Sequence, residues 1–244
     1  MKKVVLVSGI LLSVSLNVLA ATPQPSSSTL TSASDILNLP AENRRLVLET
    51  QGDKYYNRFL EIAFNEEQPM SMRWRALMAA AEAGQKKSIP DLLKAGDHKL
   101  WYMRNAALIA LNEVSGTEAQ KLATKLLKDK ALVVRSAAVS VMDKNLTPET
   151  RDLLWDELNQ KYNYKGTQSL WIRHQIVEVL AQKPFDHELK IFADLLTDKD
   201  ARVQLPAVKG LEKLTGVKLG EGKMQQSALV GLWKDYIKKD KSLN

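Results

Sequence analysis

The sequence contains no cysteine. That excludes disulfide scaffolds, cysteine-ligated zinc or iron–sulfur centres, thiol nucleophiles and a cysteine-anchored lipoprotein. Glycine and proline are scarce, at 11 and 8 residues in 244, beside 45% hydrophobic residues; collagen-like and wholly disordered chains are excluded as well. Histidine is limited to His98, His174 and His187. No His-Glu-x-x-His run occurs, and no pair has the spacing of two ligands on one helical face. Gly-rich phosphate loops and the Gly-x-Ser-x-Gly elbow are missing too. Gly220-Glu221-Gly222-Lys223 follows no strand pattern and reads as a loop. Carboxylate neighbours such as Glu66-Glu67 and Asp156-Glu157 point to different sides of a helix and make poor acid–base pairs. No catalytic residue, cofactor or metal ligand is expected, and the chain reads as a non-enzyme.

Long apolar runs are likewise lacking. A membrane-spanning helix needs about 20 continuous apolar residues, whereas Val4 to Leu19 is interrupted by Ser8, Ser13, Ser15 and Asn17. Preceded by Met1-Lys2-Lys3 and followed by Val18-Leu19-Ala20, this stretch has the three-part form of a secretory signal peptide over residues 1–20. Cleavage is expected after Ala20, with Ala21 the nearest other choice, giving an exported, periplasmic or secreted protein. Residues 21–34, rich in Ser, Thr and Pro, read as a linker.

Export also changes the meaning of the charge. The chain has 35 Lys and Arg against 28 Asp and Glu, a net +7. Without Lys2 and Lys3 the count is 33 against 28, or +5. An exported protein of that charge meets no chromosome, so nucleic acid is not an expected partner; contact with membrane or cell wall is a secondary possibility.

From about residue 53 the apolar spacing is helical rather than alternating, and strand-like runs are lacking. Five segments repeat one pattern around a central position occupied by Arg73, Arg104, Arg135, Arg173 and Gln204. The intervals are 31, 31, 38 and 31 residues. Counted from that position, −1, +3, +4 and +7 are apolar in all five, twenty positions in total, from Met72, Ala76, Leu77 and Ala80 to Val203, Ala207, Val208 and Leu211. A fixed period of this size marks a solenoid, because a single helical hairpin cannot bury its own apolar stripe. Earlier partner helices are expected at Lys54–Asn65, Ile89–Lys94, Thr117–Leu127, Pro148–Asn159 and Phe185–Leu196. The seven extra residues of the long interval map to Gln160–Gln168. Helices opening at Pro40-Ala41-Glu42 and spanning about 224–239 read as caps, giving one solenoid domain over 35–244 with repeats at about 53–214.

The recurring hydrophobic-Arg-x-x-Ala-hydrophobic element, preceded by a helix and an acidic turn, resembles the HEAT repeat, particularly the bacterial form grouped with phycobilisome-lyase HEAT-like repeats. The resemblance implies an all-α, right-handed solenoid of about five hairpins with capping helices at both ends. It also implies an Arg–acid ladder. By position, Arg104 matches Asp97, Arg135 matches Asp129 and Arg73 has Glu67, whereas Arg173 has no acid at the equivalent place. Gln204 departs from the pattern, and Pro206 falls early in its helix, where it is expected to kink the first turns.

A solenoid normally binds on its inner face. Positions +1 and +5 from each central residue lie on one side of the second helix. They are Trp74 and Met78, Asn105 and Ile109, Ser136 and Ser140, His174 and Glu178, and Leu205 and Lys209. This mixture of apolar anchors and polar groups suits a protein or peptide groove as well as a solvated face. Among the tryptophans, Trp74 reads as the exposed one, while Trp101 and Trp171 read as seals over helix starts. The expected function is an exported non-enzymatic scaffold or adaptor that binds a protein or extended peptide on its concave face. The resemblance implies one alternative, an accessory or lyase-like protein acting on a tetrapyrrole or similar cofactor. Basic patches such as Lys234, Lys238 and Lys239 give another, association with the cell envelope.

Overall fold

The computed structural model describes residues 32–220 and 224–239. Residues 1–20, which the sequence pattern reads as a signal peptide, residues 21–31 of the expected linker and the Glu221–Lys223 part of the Gly-rich loop therefore lie outside the described residues.

The solenoid begins earlier than the linker reading allowed. Ser32 caps helix α1 (Ala33–Asn38), its Oγ accepting from the Asp35 N–H at 3.2 Å while the Asp35 carboxylate accepts from the Ser32 N–H at 3.2 Å. Such a capping box satisfies two first-turn donors at once. After Pro40 the chain forms α2 (Ala41–Phe64), a single 24-residue helix. The expected cap helix and the first partner helix are thus one element; the polar stretch Glu49–Asp53 has no proline to break it and a good i,i+4 pair, Arg45–Glu49, to support it.

The rest follows the repeat. Paired with α2 is α3 (Met70–Gly84); then come α4 (Ile89–Gly96) with α5 (Trp101–Val114), α6 (Gly116–Leu126) with α7 (Leu132–Lys144), α8 (Pro148–Leu158) with α9 (Trp171–Leu180), and α10 (Leu189–Leu195) with α11 (Ala201–Thr215). Helix α12 (Gln226–Lys239) packs on α11 and buries Val230 and Trp233. Pro206 does not interrupt α11, which runs on past it with the proline ring buried. Residues 161–169 form a short 3-10 turn and a two-residue antiparallel ribbon, β1 (Tyr164–Lys165) and β2 (Gln168–Ser169), with Gly166 at φ +61° supplying the turn.

Nineteen of the twenty aligned apolar positions are buried to 1% exposure or less; Met72, at the first helix edge, is half-buried. The core is therefore the stack of second-helix stripes predicted by the period. Close approach is needed to build it. At Gly210 of α11 a Cβ would stand 2.7 Å from the Phe192 ring of α10, so no larger residue fits without displacing that ring. Successive second helices α3, α5, α7, α9 and α11 pack directly on one another, while contacts between successive first helices are sparse. The second helices thus form the tighter, inner row of the stack. The architecture is all-α and solenoidal.

Candidate functional site

The recurring arginines are buried structural groups. Arg73, Arg104, Arg135 and Arg173 are exposed by 2–7%, and none forms an open cationic stripe. Their partners differ from the expected ladder by one repeat. Arg104 donates from Nε and Nη2 to Asp129 at 2.5 and 2.7 Å, rather than to Asp97, whose carboxylate pairs with Lys125. Arg173, for which no acid was expected, donates to both oxygens of Asp198 at 3.1 and 2.5 Å. Asp129 does serve Arg135, but through its backbone carbonyl at 2.7 Å. Arg104 and Arg173 therefore reach forward 25 residues to the turn of the next repeat.

Two rungs deviate. Arg73 reaches forward 25 residues to His98, where Arg104 and Arg173 meet aspartate, with Nη2 3.4 Å from Nε2 and Nη1 donating to the Tyr102 hydroxyl at 2.9 Å. The His98 Nδ1 accepts from the Leu100 N–H at 3.1 Å. A neutral ring that accepts at Nδ1 carries its proton on Nε2, so it faces the guanidinium donor to donor. Burial and the Arg73 charge hold the His98 pKa below the usual imidazole value. Arg135 meets the insertion instead of a turn: its Nε donates to Asn163 Oδ1 at 3.1 Å and its Nη2 to the Tyr162 carbonyl at 2.9 Å. Residues 160–168 thus replace the carboxylate of a regular repeat by a side-chain amide and a carbonyl. An aromatic ring covers the guanidinium in three rungs, Tyr102 over Arg73, Tyr162 over Arg135 and Tyr164 over Arg173.

At Asp129 and Asp198 burial is the largest influence and pushes the carboxyl pKa up, but the hydrogen bonds from Arg104 and Arg173, those from the Ala131 and Asp200 N–H groups and the guanidinium charges together outweigh it and hold both below the usual value. A further buried pair was missed from the sequence. Arg151 and Glu188, exposed by 2% and 1%, join α8 to the turn before α10. Glu188 also accepts from Trp155 Nε1 at 2.7 Å and the Phe185 N–H at 2.8 Å. The Asp186-His187-Glu188 cluster is therefore an anchoring turn, and among the described residues no group of three His, Asp or Glu is placed to hold a metal.

The stripe on the second helices divides into three parts. Ser136 and Ser140 of α7 are tied to Gln175 of α9: the Ser136 hydroxyl donates to Gln175 Oε1 at 2.8 Å, and Gln175 Nε2 donates to Ser140 Oγ at 2.9 Å. This joins neighbouring repeats. Towards the C-terminal end, His174 and Glu178 stand 3.9 Å apart along α9, Leu205 is half-buried and Lys209 is exposed. Towards the N-terminal end the stripe becomes apolar.

There Trp74 and Asn105 share a cleft of about 440 Å³ with Met70, Trp101, Tyr102 and Val133. Met78 lines a separate recess of about 270 Å³ with Arg44, Glu82 and Glu113, and Ile109 is half-buried between these repeats. The tryptophan expectation is reversed: Trp101 and Trp171 are each 43% exposed, while Trp74 is half-buried. The reason is their position in the first turn of their helices, where no preceding turn covers the side chain. Met70 and Val133 occupy comparable first-turn positions. The signal in the sequence was a large apolar residue two or three places before the central arginine.

This geometry defines a class: an α-solenoid of stacked helical hairpins, braced by buried arginines and presenting a partly apolar inner row. A family model described as HEAT repeats matches residues 57–158. Among solved structures, the chain is similar to YibA of E. coli at 16% identity, covering 85% of this chain and 80% of that one with a TM-score of 0.50; this likeness concerns the fold. It is also similar to the complex of CpcE and CpcF of phycocyanin lyase from a Nostoc species, at 18% identity over 88% of this chain and 98% of that one, with a TM-score of 0.31, too loose a superposition to bear on chemistry. No curated protein matches the sequence. Among the described residues, no helix is long and apolar enough to cross a membrane.

Proposed function

We propose that the protein is an exported, non-enzymatic scaffold whose inner row of second helices binds a protein or an extended peptide. The observation that supports this reading is the cleft itself: Trp74 and Asn105 are joined by Met70, Trp101, Tyr102 and Val133 in one recess whose lining comes from the second helices α3, α5 and α7. Aromatic and methionine side chains around a recess, with an amide for orientation, are the composition of a recognition surface. Export rests on the N-terminal pattern of residues 1–20.

The solenoid suits such a role because its surface is ordered in advance. Buried arginines reach from each of the first four repeats into the next, two of them through Arg–Asp pairs, so a partner loses little free energy in ordering the protein. The test is a pull-down from envelope extract with Trp74→Ala, Asn105→Ala and His174→Ala combined. Partners retained by the wild type and lost by this variant support the reading. An unchanged partner list rejects this surface. Fractionation of cells for the processed and unprocessed chain tests export; a chain that keeps residues 1–20 in the cytoplasm rejects it.

A further inference from the structure

Three of the most exposed large apolar side chains among the described residues, Met70 (51%), Trp101 (43%) and Val133 (40%), converge on the same cleft. Exposed apolar residues scattered singly need no explanation, but a cluster in a recess marks an interaction site. The charge around it has one sign. No carboxylate lines the cleft, and the charged side chain in its wall is Arg75, which is exposed and makes a 3.5 Å hydrogen bond to Asn38.

Lys130, also exposed, stands in the turn leading into the Val133 helix. Its neighbour Asp129 is shared between Arg104, to which it is bonded, and Lys130, whose charge it also feels, so this turn holds two cations against one carboxylate. Lys99, in the turn before Trp101, is balanced by Glu66 at 2.7 Å. Positive charge is therefore in excess at this end of the row: Arg75 in the cleft wall, and Lys130 with Arg104 against the single carboxylate of Asp129. Asn105, one helical turn beyond Trp101 on the same face, makes a long 3.4 Å hydrogen bond to the Val133 carbonyl, and its amide has capacity left for a peptide group.

We infer that the occupant is an extended acidic segment of a partner protein, in which one large apolar side chain enters the cleft and flanking Asp or Glu residues face Arg75 and Lys130. This rests on the proposed binding role and adds the chemistry of the partner. The chain's own residues 21–31 do not fit, because they contain no acidic residue.

A displayed library of random dodecapeptides, selected on the immobilised full chain at about 0.15 M NaCl, where contacts beyond about 8 Å are screened, tests the inference. The expected consensus is one large apolar residue flanked by Asp or Glu and depleted of Lys and Arg. The best peptide, resynthesised with Asn and Gln in place of Asp and Glu, should bind about tenfold more weakly by fluorescence anisotropy. Trp101→Ala should abolish selection of that consensus, and Arg75→Glu with Lys130→Glu should turn the preference towards basic peptides; all three side chains are exposed, and circular dichroism checks that the folds are kept. A neutral or basic consensus, no consensus, equal binding of the amide peptide, persistence of binding in Trp101→Ala, or displacement by a peptide of residues 21–31 or by a second copy of the chain overturns it. If the triple variant loses its partners but no acidic preference emerges, the scaffold reading stands and this one falls. An acidic preference at Trp101 with an unchanged pull-down has the opposite meaning.

Discussion

Replacing Glu188 by alanine is the most severe single change that leaves the apolar core intact. The carboxylate accepts from Arg151 Nε at 3.0 Å and from Arg151 Nη2, from Trp155 Nε1 at 2.7 Å and from the Phe185 N–H at 2.8 Å. Without it Arg151 keeps the Leu180 carbonyl at 3.1 Å and the face of Phe185 at 4.6 Å, but its charge remains buried and unpaired. Removing one partner of such a pair costs about 3–5 kcal/mol. Arg151→Ala should cost a similar amount by leaving the carboxylate alone. The double variant Arg151→Met, Glu188→Leu removes both charges and keeps the volume; it still orphans the Trp155 and Phe185 N–H groups, at about 1–3 kcal/mol. It should therefore be more stable than either single variant. Urea unfolding followed by far-UV circular dichroism, with tryptophan fluorescence as a second probe, measures all four corners of the cycle. A single-variant loss below about 1 kcal/mol, or a double variant equal to the sum of the singles, would refute the reasoning.

Three further outcomes are expected. Asn163→Ala removes the acceptor of Arg135 Nε and the donor to the Glu157 carbonyl, and should cost about 1–3 kcal/mol in urea unfolding; no loss would mean that the insertion does not complete the rung. Gly210→Ala gains helix propensity but drives a Cβ against Phe192, whose ring is held edge-on by Trp155 at 5.2 Å, so melting should show a net loss of about 1–2 kcal/mol rather than a gain. His98, faced by Arg73, Glu66, Lys99 and Arg104, has a depressed pKa in the fold. The unfolded chain takes up that proton first, so stability is full above the ordinary imidazole range and falls as pH drops through it towards the folded pKa; His98→Gln should flatten this slope in thermal melts between pH 8 and pH 5, and an unaltered slope would exclude His98 as its source.

The fold was legible because its strongest signal is one-dimensional. A 31-residue spacing and four apolar columns are enough to place the second helices, and those columns became the core almost without exception. The union of residues 41–64 into one helix was not legible, since a polar middle looks like a boundary when no stop residue is weighed against it. Ladder partners were misassigned because sequence neighbours were sought for arginines whose contacts lie in the following repeat. The candidate site was legible in part. Trp74 and Asn105 do meet, but Ser136 and Ser140 turned out to be bonded to Gln175, a residue outside the stripe. Met70, Trp101 and Val133 were overlooked because helical-wheel reasoning treats every turn alike, whereas a first turn has nothing covering it.

The forward reach of the arginines gives the array a direction in time. A ribosome delivers each guanidinium before its acceptor, so Arg104 must wait for Asp129 and Arg173 for Asp198, about 25 residues of further synthesis in each case. At rates of about 5–20 residues per second, every newly made hairpin spends roughly one to five seconds with an incomplete brace, and the following hairpin closes it. The series must end on a residue that needs no successor. Gln204 does so: its amide bonds backwards to the Asp198 carbonyl at 2.7 Å, as Arg104 and Arg135 do to His98 and Asp129, and nothing in it reaches ahead. Glutamine at the fifth position thus closes the run of forward contacts, and a chain cut short before Asp198 would leave Arg173 as a buried cation with half its brace missing.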